Sequence, residues 1–498
     1  MMSCVGIRRM SALFSALIAF VFIFPTISIA APRAVELGPE ITLGEPNNGY
    51  VGRMSVSPSH GPVGTPITVT GENFPPEQEV QLVWTTVKGS WRVTVAEYIG
   101  RQFTPTAYQI AKVKIGRDGR ITYQFEAPED FGFMHDVVVQ QGSRLLTQAG
   151  FSIDMTTKLL RESGPLGTEI PVEIQGIGWR ELEGSWVLVY DNKYTGFASA
   201  ITTSGTARFT VPATGHNGLH VLEIIHTDFG SPYRNMQQSP APDRAQFKVN
   251  FTITPGDPVL PPPPEQQVQK NVLRLPPQGE LVASPTFGGI LTPVTVKGSG
   301  FEPGKTVVLN WATVTGNRIS GGGWEEHSKA LTEAKADASG NVEFKFEAPD
   351  DLGGSHAFWA DAAGGTRKKG TFWIMPTALP LDVARGPAGT TFKIHLKGTG
   401  WSETANIYTL TYDNATSGYA CGFNSQGDIE IFMQATGEPG LHYIDLWPAI
   451  YKGRETRPNN YRLPQLTYAD DHPGEDLPRF RFVFEVTKDG TVGMLAPR

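Results

Sequence analysis

Apolar and polar residues alternate along most of this chain in short runs closed by glycine, proline and Asx residues. Ile67 and Val69 alternate with Thr68 and Thr70, the period of two that turns one strand face to a core and the other to water. The run sits inside a phrase that recurs four times: GPVGTPITVTGENF at 61–74, GPLGTEIPVEIQGIGW at 164–179, GGILTPVTVKGSGF at 288–301 and GPAGTTFKIHLKGTGW at 386–401. Each copy predicts a turn, a strand and a second turn, after which an aromatic drops back onto the core. Further on, Leu82 and Trp84, Leu188 and Tyr190, Leu309 and Trp311, and Leu410 and Tyr412 share strand parity, so each aromatic is expected to face inward. The pairs Asp118-Gly119 and Gly340-Asn341 mark hairpins.

The copies are of two kinds. Gly71 and Gly298, like Trp84 and Trp311, lie 227 residues apart, whereas Gly176 and Gly398, like His220 and His442, lie 222 apart. The order is therefore A-B-A′-B′, a duplicated pair, with module A at 51–154, B at 155–254, A′ at 276–376 and B′ at 377–487. A proline-rich stretch at 255–270 is expected to be extended and semi-rigid and to hold the halves apart.

The repeated phrase resembles the opening of IPT/TIG domains, with Leu291 departing from the pattern where the other copies have glycine. The resemblance implies an all-β chain of four immunoglobulin-like β-sandwich modules in two tandem pairs. It implies little about activity, since such modules serve as receptors, adhesins and accessory domains.

The two halves are most alike from Tyr190 to His220 and from Tyr412 to His442, where twelve of 31 gapless positions are identical. Many of these are turn residues, which turn chemistry explains. The alternative is a paired binding surface in which Asp191, Asn192 and Phe197, and Asp413, Asn414 and Tyr419, point outward and offer carboxylate, amide and aromatic together. A histidine recurs at each equivalent strand start, His135, His220, His356 and His442. One per module cannot easily converge on a metal, so each is expected to bond nearby backbone as a tyrosine corner does. The segment 470–476 holds four acids and a histidine; it lacks the spacing of a dedicated calcium loop and is expected to be a solvated acidic loop.

Composition narrows the function. There are 42 basic and 49 acidic residues, a net charge of −7, which offers no basic excess for nucleic acid. Arg8 and Arg9, an apolar run and Ser28-Ile29-Ala30 read as a signal peptide over 1–30, or else as an anchor that is kept. No second apolar stretch of membrane length follows. With Cys4 removed, Cys421 stands alone and is expected to be buried or idle; an exported chain this poor in cysteine reads as bacterial. No nucleophile elbow, His-Glu-x-x-His or phosphate loop occurs. The expectation is an exported protein without enzymatic activity, cofactor or metal, periplasmic, cell-surface or secreted, that binds an extracellular protein or a polysaccharide or plays a structural part. A carbohydrate-binding accessory role is the alternative.

Overall fold

The computed structural model describes residues 37–46, 49–94, 97–180, 183–227, 230–238, 246–267, 278–316, 323–451 and 461–495. The signal segment lies outside the described residues. Among these there is no α-helix, only 3-10 turns at Met236–Gln238, Pro264–Gln266 and Ala363–Gly365, and no helix is long and apolar enough to cross a membrane.

Four β-sandwiches follow one another, each built from a three-stranded and a five-stranded sheet. In module A the small sheet joins Arg53–Ser57, Pro66–Glu72 and Ile121–Glu126, and the large one runs His60–Gly61, Arg144–Ile153, Phe133–Gln141, Glu79–Val93 and Tyr98–Lys114. The other modules repeat this plan. Each large sheet is edged by a two-residue strand pairing parallel with the last strand of its module, at Gly61, Gly164, Gly288 and Gly386. These glycines explain the repeated phrase: a Cβ at Gly61 would lie 2.4 Å from the Thr65 hydroxyl, and the other three show the same clash with Thr168, Thr292 and Thr390. Leu291 takes the glycine's left-handed conformation, at φ 60°, which an L-residue adopts at some cost.

Each sandwich has its own apolar core. Trp84, Tyr190 and Trp311 are fully buried, as strand parity predicts. Module B′ differs, since Tyr412 is half-buried and the fully buried aromatic is Tyr408 on the same strand. Within each half the modules are joined in the same way, Gly132 donating to Ile177 O at 3.0 Å and Gly353 to Thr399 O at 2.9 Å.

The proline-rich stretch does not hold the halves apart. Its described part lies in a cleft between B and B′, where Val259 N donates to Leu166 O and Val259 O accepts from the Tyr443 hydroxyl, and Gln267 is bonded to the Arg481 backbone on both sides. Around it, Arg481 holds Asp445 in a bidentate pair at 2.6 and 3.1 Å and reaches Glu169 of module B, while Arg479 Nη1 donates to Thr210 O at 2.8 Å. Proline content specifies a stiff backbone but not what lies beside it.

The acidic loop is likewise docked. Asp471 is 1% exposed, and its carboxylate accepts from Trp91 Nε1 of module A and from Ser199, Ile201 and Thr202 of module B. The expectation of a solvated loop is overturned because these donors, far away in sequence, fill both oxygens.

Candidate functional site

The paired Asp-Asn segments are turns that also serve packing. Asp191 and Asn192, like Asp413 and Asn414, have φ of 47° and 63°, two consecutive left-handed residues that close a two-residue hairpin of the kind favoured by strand twist. The Asp191 carboxylate accepts from Val221 N at 2.9 Å and faces His220 Nδ1 at 2.5 Å; Asp413 does the same with Tyr443 N and His442. The expectation that the six residues project outward together fails at two of them. Phe197 is 1% exposed beneath the 463–466 segment, and Asn414 is 1% exposed, donating to Pro212 O and Thr214 Oγ1 of module B. Asn192 and Tyr419 are exposed, the latter with the Arg462 guanidinium over its ring. Docking of B against B′ made the copies unequal, and this could not be read from either copy alone.

The four histidines hold their own modules together. Each ring lies between two acceptor oxygens: Thr85 O and Phe131 O for His135, Ala312 O and Leu352 O for His356, and one aspartate and one carbonyl for His220 and His442. Both nitrogens are thus turned toward protein oxygens of the same module, and neither is directed at a metal. Burial pulls the His442 imidazole down, but the hydrogen bond to Asp413 and that carboxylate's charge outweigh it and raise the group above its ordinary value. A raised folded value means stabilisation that is complete below the unfolded value of about 6.5 and is lost as pH climbs through the folded one. His442→Gln should remove this loss, which denaturant titration of the full chain between pH 5.5 and pH 9 will show. Cys421 is exposed rather than buried, and local desolvation pushes its thiol up, away from the reactive thiolate.

The outer faces of the large sheets reveal a site that the repeat pattern concealed. In module A the face bearing Val83 and Val138, both 0% exposed, lies under the 37–46 segment, which packs Ile41 on it and bonds Gly44 N to Gln140 Oε1. In module B the face of Val187, Val189 and Ile225 is covered from B′ by Leu463. In B′ the face bearing Asp445 and Trp447 is packed against module B. Module A′ has no such cover among the described residues. There Asn310 and Trp359 occupy the cross-strand pair that Val83 and Val138 form in module A, and Ser355 and Ala357 beside them are exposed.

This face opens into a cleft of about 540 Å³ whose wall continues onto Trp401 of module B′. Trp401 is met edge-on by Trp324, ring centroids 6.1 Å apart. Arg367 lies over Trp359 at 5.2 Å and is held there by Asp361, 2.9 Å from its Nε. Lys369, Glu326, Ser328 and His327 complete the lining. Two tryptophans are thus set among donors and acceptors of both charges. The signal present in the sequence was the change of Val138 to Trp359, an aliphatic residue of the outer face becoming a large aromatic with a polar pair partner.

Comparison with known proteins adds the following. No family model matches the chain, and no curated protein matches it. Solved structures similar to parts of it include a Corynebacterium diphtheriae protein described as membrane anchored, at 9% identity over 65% of this chain and 91% of that one with a TM-score of 0.18. Others are the SGBP-B protein of the Bacteroides ovatus mixed-linkage glucan utilization locus in complex with a heptasaccharide, at 11% identity over 67% and 70% with a TM-score of 0.16, and a marsupial T cell receptor, at 10% identity over 65% and 100% with a TM-score of 0.14. Likenesses this distant carry no argument about function. The class is defined by the fold itself, a tandem array of immunoglobulin-like β-sandwiches.

Proposed function

We propose that this is an exported bacterial protein, without enzymatic activity, that binds a polysaccharide on the sheet face of module A′ that carries Trp359. The observation that carries the reading is Trp359: a large aromatic paired with Asn310 on the A′ sheet face, while three sister faces are covered by other parts of the chain. Sugar rings present apolar faces that stack on indoles and hydroxyls that bond a polar rim, which is the chemistry of this cleft. The absence of enzymatic activity is in keeping with four of the buried aspartates. Asp130 and Asp351 are bonded to Trp84 and Trp311 and to neighbouring threonines, Asp445 to Arg481, and Asp471 to five donors, so these four are not free to handle a substrate proton. The test is retention of the mature chain in native gels cast with neutral and acidic polysaccharides. Trp359→Ala and Trp401→Ala should each weaken retention by about tenfold or more, the usual cost of losing one stacking aromatic from a binding site, with melting unchanged. Equal retention of both variants would remove the A′ face from consideration.

A further inference from the structure

A second cavity, of about 620 Å³, lies between modules B and B′ under the proline-rich segment. That size is within the range of small-molecule sites, which favour domain interfaces and combine apolar walls with a few convergent polar groups. The walls are Phe209 from module B, Pro261 and Pro262 from the connecting segment, and Tyr443, Trp447 and Leu466 from B′. The polar groups are arginines and acids whose pairing is uneven.

Arg481 is paired on all three nitrogens: Asp445 takes its Nε and Nη2, and Glu169 takes its Nη1. Arg479 is not. Its guanidinium is stacked on the Trp447 ring at 4.6 Å, and Nη1 donates to Thr210 O at 2.8 Å. Nη2 reaches only Thr210 Oγ1 at 3.5 Å, the Glu169 oxygen is 3.6 Å away and already claimed by Arg481, and Nε has no hydrogen-bond partner among the described residues. A guanidinium carries five donors in a planar fork that matches a carboxylate, so the Nε and Nη2 edge of this fork is open at the cavity wall. Arg208, also in the lining, is occupied by Glu173 and Glu129, and Asp470 sits at the exposed rim, where solvent screens it.

We infer that this cavity binds a ring compound carrying a carboxylate, its acid group held by the open edge of Arg479 and its ring laid against Trp447, Tyr443 and the prolines. A uronic acid sugar and an aromatic acid share this chemistry. Burial, and then the charge of Arg481, pulls the Arg479 guanidinium down from its ordinary value, against the opposing charges of Asp445 and Glu169. The inference does not depend on the A′ face.

Calorimetric titration of the full mature chain with digalacturonic acid, benzoate and glucose tests it. Binding of either acid, with none of glucose, is expected, and which acid binds distinguishes the two sources. Arg479→Gln should weaken that binding at least tenfold, and Leu160→Trp, a change at an exposed lining residue, should block it while melting stays unchanged. Trp359→Ala should leave it intact. The inference is overturned if neither acid binds, if glucose binds equally, or if Leu160→Trp binds as the wild type does; the last outcome decides even where Arg479→Gln fails to fold.

Discussion

Replacing Asp471 with alanine should undock the 463–476 loop and cost about 3–5 kcal/mol, at the upper end of what single substitutions do. The carboxylate is buried and accepts five hydrogen bonds, at 2.7 to 2.9 Å, from Trp91, Ser199, Ile201 and Thr202. Removing it leaves buried donors unpaired, at about 1–3 kcal/mol for each that water does not reach. Asp471→Asn should recover only part of the loss, because an amide turns one of the two acceptor oxygens into a donor facing donors. Several modules share the chain, so unfolding need not be two-state, and the better readouts are local: amide exchange at Phe197 and Leu466, whose backbones are paired, and a red shift of Trp91 emission. Protection at Phe197 equal to wild type would show that the loop is held by its apolar contacts alone.

The four sandwiches were legible because their determinants are local. A glycine against a threonine four residues on, an alternating strand and a returning aromatic are enforced within each module, so they recur and can be counted. The histidines were legible for the same reason, since each bonds backbone of its own module. Docking was not legible. Asn414 and Asn192 sit at equivalent turn positions with the same φ, yet one is buried against Pro212 and Thr214 and the other is exposed. Nothing in either copy states which partner it will meet. The A′ site is intermediate: Trp359 in place of Val138 is visible in an alignment of the halves, but its meaning depends on the 37–46 segment that covers the module A face, a contact that neither copy's own strands specify.

The same docking dictates how the halves behave when separated. Residues 31–254 expressed alone should associate with themselves instead of remaining monomeric, because Val187, Val189, Phe197 and Ile225 lose Leu463, and the Phe197 backbone loses Pro464 O and Leu466 N. An apolar face beside an unpaired strand edge is a template for association. Residues 271–498 alone would keep the Arg481 pair with Asp445 but lose Glu169 and the Thr210 carbonyl, leaving two adjacent cations with a single acid between them on a newly exposed face that carries Trp447. Mixed at micromolar concentrations, the halves should co-elute as a 1:1 complex with the self-association suppressed. A full chain cut by an inserted protease site at 255–258 should likewise stay together through gel filtration. Two monodisperse halves that ignore each other would mean that the B–B′ contacts do not hold in solution, and with them would go the cavity that Arg479 lines.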